Sequence, residues 1–102
     1  MNLYTTEVET LRNRIPRRHS VENVKEINNI IDEYEHLLRK VEAIDADFEK
    51  NTADLFAELD PIRTKIKLST SNKASKKSKD ILFDEASGSL KDNFQALIEI
   101  LG

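Results

Sequence analysis

From Val24 onward, apolar side chains return at alternating steps of three and four: Val24, Ile27, Ile31, Tyr34, Leu38 and Val41, with Ile30, Leu37, Ile44 and Phe48 beside them. Successive residues of an α-helix are turned by about 100°, so this spacing draws one stripe along a helix; on a strand it would scatter over both faces. Continued at the same angle, Leu55, Phe56, Leu59, Ile62 and Ile66 fall in that stripe, and the phase survives Asn51 and Thr52. The stripe covers about 160°, wider than the seam of a two-stranded coiled coil, which predicts two helical neighbours rather than one. Asn29, Glu33, His36, Lys40 and Asp47 make up the opposite, solvated face, where Glu35 precedes Arg39 by the four residues that favour an ion pair.

Ser20 is a good N-cap for this segment, with Glu22 in the first turn where a negative charge meets the positive end of the helix dipole. A single helix over residues 21–59 would be about 58 Å long. A compact chain of this size has a radius of gyration near ~13 Å. The pattern therefore predicts an elongated molecule, a break near Asn51, or a partner lying over part of the helix. Asp60 and Pro61 read as an N-cap and a first-turn proline, which predicts a kink or a fresh start before Ile62 and helix to about Leu68.

Before Ser20, Thr6 and Glu9 form a capping-box pattern, and Val8, Leu11 and Ile15 recur at helical spacing until Pro16 ends the run. A short helix is predicted there, with residues 16–19 as a connector. Residues 69–79, STSNKASKKSK, are small, polar and basic and predict a flexible loop. Asp80 then serves as cap for a last helix whose Phe83, Ala86, Leu90, Phe94, Leu97 and Leu101 share one face, with Gly88 as a weak point. The fold class predicted is all-α: an elongated three-helix bundle or helical hairpin in one domain over residues 1–102, with a long central amphipathic helix and a short extra N-terminal helix. The composition agrees, with 2 Gly, 2 Pro and 34% charged residues.

The absence of cysteine excludes a disulfide-stapled scaffold and thiolate metal sites. No run of 18 apolar residues and no leader-like segment occurs, so a cytoplasmic protein without a membrane span is expected. Net charge is only −3, but it is unevenly spread: +2 over residues 1–19, −8 over 20–60, +6 over 61–80 and −3 over 81–102.

Glu33 and His36 have the Glu-x-x-His spacing of helical-bundle metal sites, but they occur once and outside the apolar stripe, so solvation is the expected role. Asp45 falls inside the stripe among Val41, Ile44 and Phe48, which predicts an ion pair or, less favourably, a partner contact. Neither a glycine-rich phosphate loop nor a nucleophile motif is visible, and no cofactor and no catalysis are expected.

Two functions follow from these features. The first is a non-enzymatic protein-interaction module, an adaptor, inhibitor, immunity factor or chaperone. It would self-associate as a homodimer through Val24, Ile27, Ile31, Tyr34, Leu38, Val41 and Phe48, because the long helix offers more apolar length than its neighbours cover. The alternative is nucleic-acid association through two basic clusters, Arg12, Arg14, Arg17 and Arg18 and then Lys73, Lys76, Lys77 and Lys79. No aromatic residue interleaves with either cluster to stack on bases, which ranks this second.

Overall fold

Ser20 begins the longest stripe as expected: its backbone is extended and its hydroxyl accepts a hydrogen bond from the Asn23 amide at 3.0 Å. The computed structural model, which describes residues 3–102, has four helices, α1 (Leu3–Arg14), α2 (Val21–Glu42), α3 (Ala46–Leu68) and α4 (Lys76–Leu101), and among the described residues no strand. Neighbours in the bundle are α1 and α2, α2 and α3, α3 and α4, and α4 and α1, so the short first helix closes a ring begun by the three longer ones. The molecule measures 44 × 22 × 17 Å, with a radius of gyration of 14.1 Å.

Of the three outcomes open to the apolar stripe from Val24 to Ile66, the chain takes the break, and the segment is a hairpin. Helix α2 stops at Glu42, Ala43 caps it by donating its amide to the Arg39 carbonyl at 3.2 Å, and Asp45 restarts the chain. Asp45 is extended, and its carboxylate accepts from the Phe48 amide at 3.0 Å. It is exposed, so the ion pair expected for it is replaced by a capping role that satisfies a donor the helix start would otherwise leave unpaired. Asp47 and Glu49 add negative charge to the same first turn. The break falls before Asn51, and α3 then runs without interruption through Asn51, Asp60 and Pro61. Pro61 leaves the Ala57 carbonyl without its usual donor four residues on; both residues are exposed, where solvent can take that place.

Three other boundaries differ from expectation. Helix α1 already includes Leu3 to Thr6, so Thr6 lies inside it rather than capping it. Helix α4 starts at Lys76 because Ser75 accepts from the Ser78 amide at 3.1 Å; the connector is thus shorter than the 69–79 loop, and Asp80 is not the cap. Ser87, Gly88 and Ser89 sit within an unbroken α4.

The core is one cluster drawn from all four helices, with Ile27, Ile31, Tyr34, Leu38, Leu59, Ile66, Phe83, Leu90, Phe94 and Leu97 among its buried members. Tyr34 meets the edge of Phe94 with ring centres 4.3 Å apart. The stripe read from the sequence is therefore covered inside the chain: α2 and α3 cover each other at the hairpin, and α1 and α4 cover the rest. Ion pairs on the outside tie neighbouring helices, Arg63 with Asp32 at 2.8 Å between α3 and α2 and Lys65 with Glu85 at 3.1 Å between α3 and α4. No described helix is long and apolar enough to cross a membrane.

Candidate functional site

The connector 69–75 and the last residues of connector 15–20 lie at one end of the bundle, where α3 finishes and α2 and α4 begin, whereas α1 ends part-way along it, with Arg12 against Gln95 and Arg14 against Glu26 and Glu33. His19 marks the junction. Its ring stands edge-on to Phe83 of α4 at 5.6 Å, its Nδ1 is 3.8 Å from Asp80 Oδ1, and its Nε2 is buried with no hydrogen-bond partner among the described residues. Basic groups gather at this end from both connectors, the end of α3 and the starts of α2 and α4. Residues 17–25 and 65–80 hold nine Lys and Arg against two acids, a net of +7, and the remainder of the chain carries −10.

Not all of these cations are free. Arg14 is committed to α2: its guanidinium meets Glu26 Oε1 at 2.8 Å and Glu33 Oε2 at 2.8 Å. Hydrogen bonds to Glu26 first and Glu33 second raise its pKa above the ordinary arginine value. Arg12 donates to Gln95 Oε1 at 3.1 Å and so joins α1 to α4. In contrast, Arg17, Arg18, Lys73, Lys76, Lys77 and Lys79 make no ion pair with any described residue. Of the two basic clusters, the structure thus binds up Arg12 and Arg14 internally and leaves the other six unpaired at one end.

Two cavities of about 350 Å³ each open there, with His19 in the wall of both. The first is lined by Arg17, Arg18 and Lys76 together with Asp80 and Asp84. It brings the arginine connector against the start of α4, a meeting of residues nearly sixty positions apart. The second lies between the start of α2 and the α3–α4 connector, with Val21 and Val24 on one side, Ser69 and Thr70 on the other and Lys25 and Lys79 at its rim. No protein family, curated protein or solved structure matches the chain.

The residues read as a self-association face lie elsewhere. Val24, Ile27, Ile31, Tyr34, Leu38 and Val41 are buried in the chain's own core, and Phe48 is half-buried against it. Within one chain the first six offer a partner almost no surface, while Phe48 keeps part of its ring exposed. Among the described residues the large apolar side chains that are exposed are Leu3, Val21, Ile44, Leu68 and Ile81, and three of these five, Val21, Leu68 and Ile81, lie at or within two turns of the basic end. Glu33 is held by Arg14, and with His36 it borders a groove between α1 and α2. Among the described residues no three His, Cys, Asp or Glu side chains are placed to hold a metal ion.

Sequence reasoning did not find the second cavity. His19, Val21, Lys25 and Thr70 carry no local motif, and what makes them one site is the return of α3 and α4 to the start of α2. Lys79, a member of the basic cluster of the second connector, was the only lysine of it with a signal of its own.

Proposed function

We propose that the chain is a non-enzymatic helical interaction module that grips an acidic surface of a partner protein with its basic end. One observation carries this reading. Six cations that form no ion pair with a described residue are collected at the end that also exposes Val21, Leu68 and Ile81. Cations without internal partners cost nothing in lost ion pairs when they turn to a partner, and they raise the rate of encounter with an opposite charge. Exposed aliphatic side chains beside them suit a protein surface, where apolar burial supplies the affinity that rim charges do not.

Phosphates would answer to the same cations. One feature weighs against nucleic acid: among the described residues the end has no exposed Phe, Tyr or Trp for stacking, since Phe83 is buried. Self-association is not needed for this reading, because the long apolar stripe is already covered within one chain.

The test is capture from the native source with the wild type and with a variant carrying Arg17→Glu, Arg18→Glu, Lys76→Glu and Lys77→Glu, all at exposed positions. A protein with an acidic face should be retained by the first and lost by the second, and its affinity should fall with salt. Retention by both, or a capture that nuclease treatment removes, defeats the reading.

A further inference from the structure

Resting on that reading, we infer that the cavity between Val21, Val24 and Thr70 is the recognition pocket for an aliphatic side chain of the partner flanked by carboxylates. Its volume, about 350 Å³, is near the lower end of the roughly 300–1,000 Å³ range of ligand clefts. That suits one or two side chains rather than a large cofactor. The two valines project from the first turns of α2, and Val24 is almost fully buried whereas Val21 is 75% exposed, so the wall runs from the core out to solvent. An aliphatic guest extends this apolar surface and shields Val21.

Charge selects what surrounds the guest. Lys25 and Lys79 stand at the rim from two different helices, and neither has an ion pair with a described residue. An acidic residue on either side of the aliphatic one reaches a lysine without entering the apolar wall. His19 stands in the same wall. The apolar wall and the two lysines thus describe one class of occupant, a short acidic segment with a Leu, Ile or Val at its centre.

The experiment uses the full chain and two peptides of equal charge, each with two glutamates on either side of a central residue, leucine in one and serine in the other. Titrations followed by methyl and imidazole NMR should show the Val21, Val24 and His19 signals moving with the leucine peptide. The serine peptide should bind about tenfold more weakly, the fold-change expected from burying one aliphatic side chain. Val21→Ser, at an exposed position, should remove that preference while the remaining spectrum stays folded. Equal affinity for the two peptides, with shifts confined to the basic side chains, overturns the pocket but leaves the acid-binding end standing. Failure of both peptides where a single-stranded DNA of similar charge binds overturns the pocket and the protein-partner reading together.

Discussion

Tyr34 Oη, on α2, donates to Asn93 Oδ1, on α4, across 2.5 Å in the middle of the bundle. Asn93 passes the connection on, since its Nδ2 donates to the Leu55 carbonyl at 3.2 Å and to Glu58 Oε2 at 2.9 Å on α3. One amide thereby joins three helices through a core otherwise filled by aliphatic and aromatic groups. Aliphatic contacts tolerate a shift of one helix along another more readily than hydrogen bonds do. Moving α4 by a turn would leave the phenol, the amide and a carboxylate without partners, so this network sets the register of α4 against α2 and α3.

Removing the amide should therefore cost more than removing the hydroxyl. Asn93→Ala leaves the buried Tyr34 hydroxyl without its acceptor and is expected to lower stability by about 1–3 kcal/mol beyond the loss of packing. Tyr34→Phe removes the donor and should cost about 1 kcal/mol. Urea unfolding of both single variants and the double variant checks the coupling: the double change should cost less than the sum of the two. Strict additivity would show that the two groups do not depend on each other.

The same burial gives stability a pH dependence at the alkaline end. Desolvation, and after it the nearby Glu58 charge, push the Tyr34 phenol far above its ordinary range. In the unfolded chain it ionises near pH 10, as tyrosine does in model peptides (about 10). A group whose folded pKa is raised contributes stability that is whole below the unfolded pKa and fades as pH climbs above it. The expected slope is about 1.4 kcal/mol per pH unit for one such group. Between pH 9 and 11 the wild type should thus lose about 1.4 kcal/mol more than Tyr34→Phe, measured as urea midpoints at each pH. Parallel losses would refute the assignment.

What the residue pattern revealed, and what it hid, has a physical division. Periodicity reports which side of a helix meets apolar neighbours, and Val24 to Val41 and Phe83 to Leu97 are buried as the spacing implies. Ser20 was legible because a cap acts within three residues of itself. Asp45 was not, for its neighbours Val41, Ile44 and Phe48 continue the apolar phase across the turn; an aspartate in that arc reads as a buried charge until the chain reverses. Pro61 marks no fresh start, since a proline on the solvent side can sit inside α3, which runs on to Leu68 as the spacing implies. The candidate site was the least legible part. Arg17 and Lys76 were each visible as basic residues, but their meeting around His19 depends on α3 and α4 doubling back, which no local spacing encodes.

Gly88 offers a stabilising change. It lies inside α4, and a Cβ built on it meets nothing within 4 Å. Glycine in a helix interior costs roughly 0.5–1 kcal/mol relative to alanine because the unfolded chain has more freedom to lose. Gly88→Ala should raise the urea midpoint by a corresponding amount, with no change in the spectra of the basic end. A lower midpoint would mean that α4 needs local freedom at that position.

Asp45 is the residue whose loss should change how many chains the fold contains. Its carboxylate holds the Phe48 amide and helps the chain turn back after Glu42. Asp45→Ala removes that cap, at an expected cost of about 1 kcal/mol, and puts the strongest helix former where the helix now stops. The apolar phase on both sides of the turn is already that of one continuous helix. With the turn weakened, α2 and α3 can join, and the stripe that α3 covers in the monomer must then be covered by a second copy exchanging the same element. Sedimentation of Asp45→Ala over a concentration series should show a dimer in greater proportion than wild type, with helix content equal or higher. Sedimentation unchanged at every concentration would show that the hairpin is held by the packing of α2 on α3 rather than by its cap.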